Sequence, residues 1–172
     1  MEFVILGMLI QGSLSGYDLK KCIDAGVGVF FKTSYGSLYP ALKKLLNRNS
    51  IHMVEDNNSG RSKKIYSINE QGKEEFMEWL VQPASATESF NQHLVKVYFF
   101  DLLPRATCDR LLLEYEISNR NYLQKLESLE KDFRKLENRE VHYYKLSTLY
   151  FGIAMLRQVI SWCEHVREQK EF

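Results

Sequence analysis

Leu38, Leu42 and Leu45 recur at i, i+4 and i+7 within Thr-Ser-Tyr-Gly-Ser-Leu-Tyr-Pro-Ala-Leu-Lys-Lys-Leu, residues 33–45. That spacing gathers apolar side chains onto one face of a helix packed on a core. Tyr35, Ser37, Tyr39, Lys43 and Lys44 are left for the other sides. The helix therefore turns hydroxyls, aromatics and cations away from its buried face. Ser34 is placed to cap it, and it runs to about Arg48. Pro40 lacks a backbone donor and clashes one turn back, so regular helix either starts near Ser37 or has a first turn distorted at Gly36.

Downstream, 51–55 and 64–69 each alternate with period two. Asp56-Asn57-Asn58-Ser59-Gly60 between them is dense in turn formers, so the two segments make a β-hairpin. Gly60-Arg61-Ser62-Lys63-Lys64-Ile65-Tyr66 makes that hairpin basic. A polar helix followed by a basic hairpin is the pattern of a winged helix that grips DNA, with Arg61, Lys63 and Lys64 on the wing. Charge agrees locally though not globally. The net charge is only +1, yet residues 1–69 hold nine Lys/Arg against five Asp/Glu, and residues 32–64 hold seven against two. Phosphate binding depends on such local excess rather than on the whole-chain average.

Upstream, Phe3, Ile5, Leu6, Leu9 and Ile10 form a helical stripe that stops at Gln11-Gly12-Ser13. After a short turn, Ser13 or Ser15 caps a second helix reaching Cys22 or Ile23. Residues 25–32, with two glycines, read as a loop. Beyond the hairpin a helix is expected over 70–81, with Phe76, Trp79 and Leu80 on one face. Residues 82–87 are small, polar and proline-bearing, and mark a boundary. The rest is helical: 90–103 ended by Pro104, a long helix over 107–140, and a third over 145–167. In the long helix Tyr122, Leu126, Leu129, Phe133 and Leu136 follow a 4-3-4-3 spacing, a heptad-like seam. The third is apolar nearly all round, including Leu146, Leu149, Ile153, Leu156 and Ile160. Such a helix must be covered on more than one side, which points to a second copy of the chain.

The expected fold is mostly α with a small β-hairpin: residues 1–82 a winged helix-turn-helix DNA-binding domain, 83–90 a linker, and 91–172 a helical dimerisation domain. At 172 residues with 45% hydrophobic content the chain can bury such a core. No apolar run reaches membrane-spanning length, and Met1–Gln11 lacks the features of a signal peptide, so the chain is expected in the cytoplasm. Cys22, Cys108 and Cys163 lie far apart without metal-ligand spacing. His52, His93, His142 and His165 form no triad or metal pattern, and no phosphate loop or nucleophile motif is present. Neither an enzyme nor a cofactor or metal is indicated.

Ile5-Leu6-Gly7-Met8-Leu9, the run Gly12 to Lys21, Tyr35-Gly36-Ser37-Leu38-Tyr39-Pro40-Ala41-Leu42 and Gly60 to Tyr66 together resemble the PadR family of transcriptional regulators. The resemblance spans about residues 4–80. Leu94, Asp101-Leu102-Leu103-Pro104 and Phe151-Gly152-Ile153-Ala154 are similar to the longer helical domain of the subgroup with phenolic-acid-responsive repressors and a virulence activator. The resemblance implies a homodimeric winged-helix DNA binder, usually a repressor, that responds in some members to a small molecule. It implies helix contacts from Tyr35, Ser37, Tyr39 and Lys43 and wing contacts from Arg61, Lys63 and Lys64. Two departures stand out. Asn49-Ser50-Ile51 replaces a frequent Glu-Gly-Leu-Ile turn, though Asn tolerates left-handed backbone, and Thr33 stands where proline is common.

The leading expectation is a sequence-specific regulator bound to an inverted-repeat operator. A winged-helix module docking on a protein is the alternative from another class, and steep salt dependence separates the two. A thiol-based redox regulator rests only on the three cysteines, with Lys21 and Arg110 near two of them in sequence.

Overall fold

The computed structural model describes residues 1–56, 62–84, 90–135 and 142–170. It divides into two compact units, residues 1–82 with 90–102, and residues 83–89 with 103–172.

The first unit is built around α1 (Glu2–Ile10), whose Val4 to Leu9 are all buried. More than a stripe is therefore covered, because neighbours pack on every side. Gly7 makes one of those approaches possible: a Cβ there would come within 2.5 Å of Phe99 and 2.9 Å of Phe76. Ser15 caps α2 (Gly16–Ala25) by accepting from the Asp18 N–H, and Leu19 and Ile23 turn inward. The glycine-bearing loop contains a single 3-10 turn, Val27–Val29.

The third helix, α3 (Tyr35–Asn47), starts at Tyr35 rather than Ser37. A complete capping box holds its first turn. The Ser34 side chain accepts from the Ser37 N–H, and the Ser37 side chain accepts from the Ser34 N–H. Pro40 is carried inside the helix. Leu38, Ala41, Leu42 and Leu45 face the core, as the spacing requires. Asn49 takes the left-handed conformation, φ 57°, that ends α3 and reverses the chain into the hairpin.

The hairpin pairs β2 (Ile51–Asp56) antiparallel with β3 (Lys63–Ile68), Ile51 opposite Ile68 and Asp56 opposite Lys63. A third strand, β1 (Leu14–Ser15), joins the other edge of β3, with Leu14 opposite Tyr66. Those residues read as a turn and cap in the sequence, since two residues are too short to show any period. They make β3 the central strand. Asn69 caps α4 (Glu70–Leu80) by accepting from the Gly72 N–H. Arg48, just past α3, bonds Glu2 of α1 at 2.9 Å and Glu75 of α4 at 3.3 Å, which ties the end of α3 to both.

Residues 90–102 belong to this unit. Helix α5 (Phe90–Tyr98) ends earlier than the apolar run suggests, and Phe100–Leu102 form a 3-10 turn. Phe99 meets Phe76 edge to face at 5.3 Å. Lys96 is buried, donates to the Gln82 carbonyl at 2.7 Å and lies 5.2 Å from the Trp79 ring centroid.

The second unit is an antiparallel pair, α6 (Arg105–Arg134) and α7 (Tyr143–Arg167). Arg105 starts α6 directly after Pro104. Leu111, Leu112 and Tyr115 of α6 are buried, as are Ile153, Leu156, Val159, Ile160 and Cys163 of α7. Glu116 is also buried there, its carboxylate held by Arg120 at 2.9 Å and by Arg167 at 3.1 Å. Among the described residues no helix is long and apolar enough to cross a membrane.

Candidate nucleic-acid interface

The polar side of α3 is where the sequence puts its chemistry. Tyr35, Tyr39 and Lys43 stand four residues apart, so they line one stripe along the helix. Tyr35 and Tyr39 are each about half exposed, and their rings lie roughly parallel with centroids 6.1 Å apart. Lys20 of α2 approaches the Tyr35 ring at 5.8 Å, so a cation backs the stacked pair. Lys43 is exposed and makes no ion pair among the described residues. Lys44 is exposed too, with Nζ 3.7 Å from Glu2, which offsets part of its charge. Ser37 differs from the others: its hydroxyl closes the capping box and donates to the Ser34 carbonyl at 2.9 Å.

On the hairpin, Lys63 and Lys64 are exposed on β3 and make no ion pair among the described residues. Arg61 lies outside the described residues. One cleft of about 360 Å³ brings Lys63 and Lys64 together with Tyr39 of α3, Tyr66 of β3 and the first turn of α2. Tyr39 of the helix thus opens onto the same space as the phenol and lysines of the hairpin, whereas Tyr35, Lys43 and Lys44 do not line it. Tyr66 is buried, and burial, helped by the neighbouring Tyr39, pushes its phenol above the usual tyrosine range. It stays a neutral donor at physiological pH.

Sequence reasoning did not place α2 at this surface. Tyr17 and Asp18 line the cleft, Tyr17 is 59% exposed, and Lys21 sits 5.5 Å from its ring centroid. The available signal was the Gly16-Tyr17-Asp18 triplet directly after the Ser15 cap, an aromatic on the first turn of a helix that otherwise buries leucine and isoleucine.

The residues expected at a dimer seam divide within the second unit. Ile153, Leu156 and Ile160 are buried between α6 and α7 of a single chain, whereas Leu126, Phe133 and Leu149 are half-buried and Tyr122 and Leu129 exposed. Leu136 lies outside the described residues. Tyr143, Tyr144, Tyr150, Phe151 and Met155 add exposed apolar surface on the first half of α7.

The cysteines separate by environment. Cys163 is fully buried, and that burial, reinforced by Glu116, pushes its thiol up to about 12. It carries no thiolate at neutral pH. Cys22 is exposed and Cys108 half-buried. No group of three or more His, Cys, Asp or Glu side chains is placed to hold a metal among the described residues.

The model of the transcriptional regulator PadR-like family matches residues 5–78, and that of the virulence activator alpha C-term family matches residues 91–171. The chain is 29% identical over 138 residues to the negative transcriptional regulator PadR of Bacillus subtilis, covering 79% of this chain and 74% of that protein. Over 88 residues it is 31% identical to "Probable transcriptional regulator Rv1176c" of Mycobacterium tuberculosis, covering 51% of this chain and 47% of that one. Among solved structures, Bacillus subtilis PadR in complex with operator DNA is 25% identical, with 98% of this chain and 97% of that chain covered and a TM-score of 0.48. The same protein in complex with p-coumaric acid is 27% identical, covered over 98% and 96%, with a TM-score of 0.44.

Proposed function

The chain belongs to the PadR-like family of DNA-binding transcriptional regulators, and on that premise we propose that it is a homodimeric repressor whose third helix reads an inverted-repeat operator while its hairpin grips the backbone. The family is one of regulators rather than enzymes. The observation that carries the reading is the shared cleft, which Tyr39 from α3 lines together with Lys63 and Lys64 from β3. A helix that presents phenols beside lysines with no ion pair among the described residues has both the groups that meet base edges and those that neutralise phosphates.

In this reading Tyr35, Tyr39 and Lys43 face the groove, Ser37 holds the first turn that carries them, Lys44 faces a phosphate, and Arg61, Lys63 and Lys64 follow the backbone. Residues 1–82 are the DNA-binding part, 83–90 the linker and 91–172 the dimerising part, of which 91–102 belong to the first compact unit. Regulators of this family are dimeric. The pairing surface here is the seam Tyr122, Leu126, Leu129, Phe133 and Leu149 with the apolar side chains of α7. The sign of regulation follows the Bacillus subtilis relative, named a negative regulator. A small-molecule effector would release the repressor, and the protein would act in the cytoplasm.

Footprinting on the DNA flanking the protein's own gene tests the proposal. Two protected half-sites related by a dyad, about 34–36 Å or a multiple apart, are expected for a two-fold protein. Protection of one asymmetric site by one chain at full affinity overturns the dimeric reading. Binding to no duplex at low salt overturns the DNA-binding reading and favours a protein-docking role for α3.

A further inference from the structure

The cleft beside α3 has a third wall that the DNA-binding reading leaves unused. Its residues come from the first turn of α2, and they include an exposed phenol and a carboxylate. Lys63 and Lys64 line the same cleft, and their charges are not spent on ion pairs among the described residues. Lys21 lies 5.5 Å from the Tyr17 ring centroid and adds positive potential beside that phenol. The buried Tyr66 offers a neutral hydroxyl rather than a repelling phenolate. Lysines and phenols converging on an open cleft are the donor set of a phosphodiester.

Asp18 runs against that chemistry. Its backbone N–H donates to Ser15 Oγ at 3.1 Å, while its carboxylate accepts from the same hydroxyl at 2.7 Å. The start of α2 thus keeps an acidic side chain for its own cap, at the edge of a cleft otherwise suited to an anion.

We propose that this cleft seats one phosphodiester of the DNA backbone, with the Tyr17 hydroxyl, Lys63 and Lys64 as donors and Asp18 as a charge that holds the affinity down. The proposal rests on the DNA-binding reading and adds Tyr17 and Asp18 to it. Because a phosphodiester is common to every sequence, both residues act on affinity and not on discrimination.

The test is fluorescence anisotropy of the full chain with a labelled random-sequence duplex at several KCl concentrations. Tyr17→Phe should bind about three- to tenfold more weakly, with the salt slope unchanged because a neutral hydroxyl displaces no counterion. Its thermal midpoint should not move, since the side chain is exposed. Asp18→Asn keeps an acceptor for Ser15 and should bind at least about threefold more tightly. Glu74→Gln makes the same change in net charge on an exposed position of α4, away from the cleft. If Tyr17→Phe binds as wild type does, or Asp18→Asn gains no more than Glu74→Gln, the seat is not there and the DNA-binding reading still stands. A wild-type protein that binds no duplex overturns both.

Discussion

Gly16 and Tyr39 meet where α2 begins and α3 passes: a Cβ on Gly16 would lie 3.1 Å from both Cε1 and the hydroxyl oxygen of the Tyr39 ring. The bare α-carbon lets the ring lie against α2, which fixes the direction in which the middle of the Tyr35, Tyr39 and Lys43 stripe points. Tyr39 is about half exposed and so free to yield. Gly16→Ala is therefore expected to displace the ring without unfolding the unit. The preference for operator over random duplex should fall about three- to tenfold, the range of a weakened base contact. Titration against both duplexes, with a thermal midpoint within a few degrees of wild type, checks it. A collapse in midpoint would mean that Gly16 serves the fold and not the reading.

The lysines of the interface differ in what already holds them. Lys63 and Lys64 are unpaired among the described residues, whereas Lys44 shares Glu2 with Arg48. Lys63→Ala or Lys64→Ala should weaken operator and random DNA alike and make the salt slope shallower by about one. Lys44→Ala should change the slope by less, because part of its charge is already neutralised in the free protein. Slopes from affinity measured over a range of KCl decide the order. A Lys44 effect equal to that of Lys63 would mean the Glu2 contact opens on binding.

Ser37 stands in the same stretch as the two tyrosines but serves the helix itself. Its hydroxyl closes the capping box with Ser34 and also donates to the Ser34 carbonyl. Ser37→Ala keeps the bond from its backbone N–H to Ser34 Oγ but removes the side-chain half of the capping box, and should cost about 0.5–1 kcal/mol of stability. Random-DNA binding should weaken along with operator binding as the first turn frays. Denaturant melts and the two titrations check this together. Unchanged stability with a selective loss on operator would return Ser37 to base reading.

Much of the first unit is legible because its elements carry local signals. Leu38, Leu42 and Leu45 announce the buried face of α3, and Asn49 marks its end by tolerating φ 57°. The strand β1 is not legible: Leu14 and Ser15 become a strand only because β3 offers them a free edge. Packing at a distance is equally silent. Phe99 fits against Gly7 across more than ninety residues of sequence, and the first turn of α2 joins the cleft only through the position of Tyr39 and β3. In the helical unit, composition reveals that α7 must be covered on several sides. Only coordinates separate Ile153, Leu156 and Ile160, buried between α6 and α7, from the exposed Tyr150, Phe151 and Met155.

Cys163 gives a prediction whose sign follows from its burial. The thiol is pushed up to about 12 in the folded chain, against 9.0 for an ordinary cysteine. Between those values the unfolded chain loses the thiol proton while the folded chain keeps it, so the folded state binds more protons and stability falls as pH rises. Below about pH 9 the buried neutral thiol contributes its full packing. Above it the contribution is lost at about 1 kcal/mol over the first unit of pH. Cys163→Ala removes the titration and leaves a small cavity. It should therefore be less stable than wild type at pH 7, with the difference shrinking by about 1 kcal/mol between pH 9 and pH 10. Paired urea melts of the two proteins cancel the titration of the tyrosines and lysines they share. A difference that stays constant across that interval would mean the thiol is reached by water, and an exposed thiolate would then have to be weighed as a redox group.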